Sequence, residues 1–593
     1  MNYKFKDFFI SYFGSGWLFF LPYLILYLAF WATNSPVLIL LKVFYILHAL
    51  NVVGLGCFIY LKYGVINLKD FFFWGALCSL FFNVGVYLEF PSDPWTHLFR
   101  IFQWEHINQI QEANSNYKFA YFFGFSLLNH VDPINHKIAL NAYHTFWALL
   151  TTIQFYKLAS TTFNSKPWAK LATTCVIIML GNSSFSFFSY YGISSTMLGM
   201  IAFLAALNSL ISWQNWKPYH VLFLISSALV LGIFNHVQSF LLFLTCGTGV
   251  LFHFTIARQG WSKFLKITCI GLLTIAVSYH IISQLSICDD FRNLLAPYHL
   301  SNEWFYFWGG LKLFSFNPEI NNASGRFMQI LGWYGIFNCF ASIYLIKKNH
   351  IVGWISLTPI LFLLYPPFAN TLAYILIKYN VLIVFQRILL GIPLSFSIIL
   401  IFKSINELKF PKVSKSFIIP FIFIFHLLIS INPHPQYFGR FLNIFERPNS
   451  DSGFEKVFET TSLIRQKLDH FPKFKILSDT ASQTLINAQL GLVEDGRLNA
   501  KSLSSKISDL GGVLKVHSDS NVTHILALSE QPHLNPMGSI LGKSSAHWES
   551  QHLANCLNYD TNLQSQLGTL TKLGWTKKFV KPWYNLFERP PNK

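Results

Sequence analysis

Charged residues are scarce in this sequence. Asp, Glu, Lys and Arg together make up 12% of the 593 residues, whereas a soluble chain of this length carries about a quarter. Hydrophobic residues make up 53% of the chain and aromatic residues 18%. The shortage of charge therefore excludes an ordinary soluble protein.

Recognisable metal-ligand spacings are also missing. The chain has eight cysteines, but no CxxC or CxxH pair that would indicate a metal site. Histidines 130, 136 and 144 lie near Asp132, yet their spacing matches no compact zinc-ligand set. We therefore predict no metal site formed by protein side chains alone.

Long apolar runs are what the sequence does contain. Runs of about 17–25 residues are long enough to cross a bilayer. They predict a polytopic α-helical membrane protein with about 13 transmembrane helices. The predicted spans are 17–33, 37–60, 70–88, 141–159, 171–190, 194–212, 219–234, 237–256, 266–285, 327–346, 351–369, 380–402 and 416–432.

Basic residues are distributed unevenly between the predicted loops. With the N-terminus inside, the inside loops hold seventeen Lys and Arg residues, and the outside loops before residue 433 hold seven. The positive-inside rule thus predicts a multi-pass protein of the plasma or inner membrane with a cytoplasmic N-terminus. This sorting accounts for most of the net charge of +18, so we predict no nucleic-acid partner.

Two domains are predicted. Residues 1–432 would form the membrane domain, with long outer loops at 89–140 and 286–326. Residues 433–593 would form an extracytoplasmic α/β domain, since strand patterns at 474–479 and 522–530 alternate with the helix patterns "TASQTLINAQLG" and "NLQSQLGTLTKLGW".

Charged and polar residues are concentrated in the first outer loop, at "LEFPSDPWTHLFRIFQWEH". Asp93 and Pro94 begin an amphipathic helix over 94–112 that would lie on the outer membrane surface. Glu89, His97 and Arg100 lie close to Asp93 in this pattern. Asp93 is either a helix N-cap or a catalytic carboxylate. Capping alone does not explain the neighbouring charges.

Three further residues outside this stretch could take part in a site. Arg387, in "FQRILLGIP", is a guanidinium in an apolar run, and it would bind either a phosphate or backbone carbonyls. His236, in "FNHVQS", is either a buried core histidine or a functional one. Asp132, in "NHVDPINH", could supply a second carboxylate.

These features resemble the C-type (GT-C) glycosyltransferase superfamily, whose members transfer sugars from polyprenyl-phosphate donors. The resemblance rests on Asp93 and Glu89 in the first large outer loop, the helix at 94–112, the polar break at 234–239, "FQRILLGIP" and the C-terminal domain. It implies a glycosyltransferase acting on the outer face of the membrane. Asp93, or Glu89 as second choice, would be the base, and Arg387 would anchor the donor phosphate. His97, Arg100, Asp132 and His236 would bind substrate.

The implied partners are a polyprenyl-phosphate sugar donor, a lipid, glycan or protein acceptor, and membrane lipids. A divalent cation, Mg²⁺ or Mn²⁺, held by Asp93, Glu89 and the donor phosphate stays open. Two other functions also stay open: a lipid or polysaccharide transporter or flippase, and a non-catalytic envelope assembly protein.

Overall fold

The fold was analysed in a computed structural model. The structure describes residues 68–83, 136–180, 195–212, 237–254, 331–364, 394–407, 415–431, 476–478, 524–528, 568–580 and 584–590, and isolated positions between 25 and 54 and at 266 and 327. The helices in these ranges are α1 Leu68–Asn83, α2 His136–Phe163, α3 Lys166–Leu180, α4 Ser195–Ser212, α5 Val237–Phe254, α6 Gly332–Lys347, α7 Ile351–Leu364, α8 Leu394–Glu407 and α9 Lys415–Ile431. The strands are β1 Ile476–Ser478, β2 His524–Leu528, β3 Thr576–Val580 and β4 Tyr584–Glu588.

The chain divides into two compact units. The helical unit holds the helices α1 to α9, with α2 included from Asn141 onwards. The strand unit holds the four strands. The predicted domain bounds, 1–432 and 433–593, stay predictions.

The described helices correct the predicted fold class. Among the residues that the structure describes, no helix is both long enough and apolar enough to cross a membrane. The prediction of a polytopic α-helical membrane protein with about 13 transmembrane helices is therefore wrong on this finding. The predicted location as a multi-pass protein of a plasma or inner membrane is wrong on the same finding.

Helix length and composition give the physical reason for this correction. The helix α7 has 14 residues and α9 has 17, which at about 1.5 Å per residue cover roughly 21–26 Å of a hydrocarbon core about 30 Å thick. The helix α2 has 28 residues, but it contains Lys137, His144, Gln154 and Lys157. These described helices are therefore too short or too polar to be the spans that the apolar runs predicted.

The helices of the helical unit pack closely at glycines. The helices α6 and α7 form a hairpin joined at Lys348–His350, where Asn349 has φ 55°. A Cβ atom added at Gly353 would lie 2.5 Å from the Ser342 carbonyl oxygen and 2.8 Å from the Ile346 nitrogen. The two backbones can approach this closely only because Gly353 has no side chain.

The strand unit contains one mixed sheet of four strands in the order β1-β2-β4-β3. The strand β1 pairs with β2 in parallel, and β4 pairs antiparallel with both β2 and β3. Ile525 and Phe587 are opposite each other on β2 and β4, and both are buried. This apolar cross-strand pair fixes the register, because a slip by one residue would turn it to the other face.

The strands predicted at 474–479 and 522–530 are confirmed by β1 and β2. The helix predicted from "NLQSQLGTLTKLGW" is present over residues 568–572. It ends at Gly574, where φ is 87°, and the Trp575 N–H donates to the Leu570 carbonyl at 3.0 Å. Glycine tolerates this left-handed helix cap without strain. The helix predicted from "TASQTLINAQLG" lies outside the described residues.

Candidate functional site

All seven residues predicted to form the site lie outside the residues that the structure describes. They are Glu89, Asp93, His97, Arg100, Asp132, His236 and Arg387. Their proposed roles stay predictions.

Contacts at the end of α2 show which helix ends meet. The Lys403 Nζ of α8 donates a hydrogen bond to the Phe163 carbonyl at 2.7 Å. The His350 Nε2 lies 3.2 Å from the Thr162 carbonyl, and His350 Nδ1 accepts from the Val352 N–H at 3.3 Å. These bonds satisfy carbonyls that the last turn of a helix leaves without partners. The C-terminal ends of α2, α6 and α8 therefore lie together with the start of α7.

The helices α1 and α3 run in the same direction. Asp70 forms an ion pair with Lys170, and the Trp74 Nε1–H donates to Thr174 Oγ1 at 3.3 Å. From the first contact to the second, the position advances by four residues on both helices, which is about one turn in the same direction. The two helices are therefore parallel. The helix α3 follows directly from the end of α2. The helix α1 therefore also starts at the end where α2 finishes.

Lysines collect at this end of the helical unit. We call the set Lys69, Lys166, Lys170, Lys347, Lys348 and Lys403 the lysine end. The acids beside them are Asp70, paired with Lys170, and Glu407, whose carboxylate is 3.5 Å from Lys403 Nζ. The lysine end therefore has a positive charge and would attract anions.

The end of α1 and the start of α2 lie away from the lysine end. The helix α1 finishes at Asn83 and α2 begins at His136. In the sequence, the stretch between these two residues carries Glu89, Asp93, His97, Arg100 and Asp132, all of which lie outside the described residues.

A row of buried polar residues lies on the inner face of α6. The Tyr334 hydroxyl is 3.3 Å from Met179 Sδ, and its ring meets the His426 ring edge-on at 5.9 Å between centroids. One turn further, neither amide atom of Asn338 has a hydrogen-bond partner among the described residues. The next turn places Ser342 Oγ 3.1 Å from Ser397 Oγ. We call Tyr334, Asn338, Ser342, Ser397 and His426 the polar row.

The polar row is neutral at physiological pH. Burial lowers the pKa of His426 to about 4, although its hydrogen bond to the Ile422 carbonyl opposes the shift. Burial also raises the pKa of Tyr334 well above its usual value. The His426 Nδ1–H donates to Ile422 at 2.8 Å, so Nε2 is the acceptor, and it has no partner among the described residues. Such groups can bind hydroxyls, but they cannot neutralise a phosphate.

Leaving these atoms without partners is costly. Each buried donor or acceptor without a partner costs about 1–3 kcal/mol. Asn338 contributes two such atoms and His426 one. The end of α6 that carries Tyr334 and Asn338 is the one away from the lysine end. The half of the helical unit away from the lysine end therefore contains buried polar atoms that have no partner among the described residues.

The polar row was not predicted from the sequence. A signal was present in "GWYGIFNCFASIY", where Tyr334, Asn338 and Ser342 recur every four residues within an apolar helix. His426 gave no such signal, because it is isolated in an apolar run and its partner on α6 is distant in sequence.

Within the described ranges, no three His, Cys, Asp or Glu side chains gather in a way that could hold a metal ion. A search of protein-family models and of curated proteins found no match to this sequence. The resemblance to C-type glycosyltransferases therefore stays a prediction from the residues alone.

Proposed function

We propose that this protein is a glycosyltransferase that takes a sugar from a polyprenyl-phosphate donor. The observation that carries the proposal is the concentration of Glu89, Asp93, His97 and Arg100 in one short stretch of a chain that is only 12% charged. These are the residue types that proton transfer and the stabilisation of a leaving phosphate require. Within the helical unit, the neutral polar row supplies further groups that can bind hydroxyls.

The reaction needs a base and a way to stabilise the leaving phosphate. Asp93, or Glu89 in its place, would accept the proton of the acceptor hydroxyl as that oxygen attacks the anomeric carbon. The bond from the anomeric carbon to the phosphate oxygen would break, and the phosphate would leave with the electron pair. Arg387 would pair with it through its planar donors.

His97, Arg100, Asp132 and His236 would position the donor and the acceptor. A divalent cation, Mg²⁺ or Mn²⁺, would add charge stabilisation if Glu89, Asp93 and the donor phosphate hold it. The acceptor would be a lipid, a glycan or a protein.

Transfer assays on an Asp93→Asn variant would test the proposal. Asparagine keeps most of the N-cap hydrogen bond but cannot accept a proton, so we expect a loss of rate of about 10²–10⁴-fold. Radiolabelled hexoses and pentoses linked to polyprenyl phosphate would be supplied with candidate acceptors, and labelled product would be counted. Glu112→Gln, in the same segment, is the matched control and should retain activity.

Two results would count against this function. Full activity in Asp93→Asn would make Asp93 a helix cap and move the base to Glu89 or Asp132. Movement of the intact lipid-linked sugar across a bilayer, with no cleavage of the sugar-phosphate bond, would favour a transporter instead.

A further inference from the structure

The outer face of α6 is apolar. Trp333 is 69% exposed, Phe337 60% and Phe340 67%, and Tyr344 continues the same face. These residues recur at i, i+4, i+7 and i+11, which is one stripe along a helix. We call them the α6 stripe. Contiguous exposed apolar surface of this kind marks a binding surface rather than ordinary solvent-facing residues.

The α6 stripe ends at two exposed lysines. Lys347 and Lys348 lie about one helical turn after Tyr344 and belong to the lysine end. The Lys348 Nζ lies 5.8 Å from the centre of the Tyr344 ring, so the positive charge is in contact with the last ring of the stripe. No Asp or Glu lies in α6. The complement of this surface is a molecule with an apolar tail and an anionic head.

The length of the α6 stripe fits one lipid chain. Trp333 and Tyr344 are eleven helical steps apart, which is about 16 Å at about 1.5 Å per residue. This is close to half of a hydrocarbon core about 30 Å thick, the depth that the chains of one leaflet fill.

A second helix has the same kind of exposed apolar face. On α9, Phe417, Phe421, Ile424 and Leu428 are exposed and recur at the same spacing. The apolar outer face is therefore repeated and does not depend on α6 alone.

We propose that an anionic phospholipid binds along α6, with an acyl chain on the α6 stripe and its phosphate at Lys347 and Lys348. A second copy of this chain is a poorer occupant, because α6 offers no acid to pair with the lysines of a partner copy. The site is independent of the proposed transfer reaction, since none of the residues proposed for that reaction lies in α6.

Photo-cross-linking on the full-length protein would test this site. Phe340→p-benzoylphenylalanine would be incubated with vesicles of phosphatidylcholine alone or mixed in equal parts with phosphatidylglycerol, and cross-linked species would be identified by mass spectrometry. We expect preferential cross-linking to phosphatidylglycerol. The preference should fall about fivefold for each lysine removed in Lys347→Gln and Lys348→Gln, and it should weaken with added salt.

Matched variants decide the outcome. Lys347→Arg with Lys348→Arg keeps both charges and should keep the preference. Lys577→p-benzoylphenylalanine, at an exposed position of the strand unit, should give no preferential product. Equal cross-linking to the two lipids, a preference that survives loss of both lysines, or cross-links mainly to a second copy of the chain would each overturn the proposal.

Discussion

The two units of this protein differ in how well hydrophobicity predicts which side chains are buried. In the strand unit, Trp575 and Phe587 are buried and Lys577 is exposed, as the hydrophobic effect requires in water. In the helical unit, Trp333 is exposed and Asn338 is fully buried. Hydrophobicity alone therefore identifies the core of the strand unit, but it misassigns residues along α6.

Truncating one tryptophan in each unit is the strongest test of this difference between the units. Trp575 is 1% exposed and its ring lies 5.2 Å from the Arg589 guanidinium, so Trp575→Ala should lower the free energy of opening of the strand unit by about 3–5 kcal/mol. Trp333→Ala should change that of the helical unit by less than about 0.5 kcal/mol. Hydrogen exchange of the β2 and α6 amides would measure both, since it reports each unit separately.

An equal loss in both variants would contradict the comparison, because it would mean that the α6 stripe packs against protein. Trp575→Phe, which keeps most of the apolar volume, is the control and should lose less than Trp575→Ala.

The buried histidine of the helical unit should make its stability depend on pH. The pKa of His426 is lowered from 6.5 to about 4 in the folded protein, so the unfolded chain binds more protons between these values. The free energy of unfolding should therefore fall as pH decreases from about 6.5 to 4, by about 3 kcal/mol in total. Urea unfolding of the helical unit at several pH values would measure the decline.

His426→Gln removes the titrating group and should flatten that part of the pH profile. An unchanged slope in this variant would show that His426 is not the group responsible.

Glycine substitutions test the close packing of the helices, with a smaller expected effect. Gly353→Ala would force a methyl group onto the Ser342 carbonyl and the Ile346 nitrogen, and should cost about 1–3 kcal/mol. Gly247→Ala is the matched control, because a Cβ there meets no atom within 4 Å, and alanine favours helix by up to about 1 kcal/mol. Thermal unfolding should separate the two, and a similar change in both would contradict the close approach of α6 and α7.

The sequence predicted the position of much of the regular structure. Each of the nine described helices overlaps a predicted apolar run, and β1 and β2 lie within the predicted strands. Local patterns suffice here, because the period of apolar residues depends only on near neighbours. The strands β3 and β4 were not predicted. Pro582 lies between them in the sequence, and β2, which pairs with β4, is more than fifty residues away.

Three features follow from the sequence alone: the apolar character of the helices, the shortage of charge, and the single short stretch that carries Glu89, Asp93, His97 and Arg100. Tertiary structure decided the rest. Lysines scattered from Lys69 to Lys403 meet at one end only because contacts such as Asp70 with Lys170 and Lys403 with the Phe163 carbonyl fix the helix directions. The same packing turns Asn338 inwards and Trp333 outwards on one helix. Composition and periodicity describe neighbours along the chain, whereas these arrangements depend on pairs of residues a hundred or more positions apart.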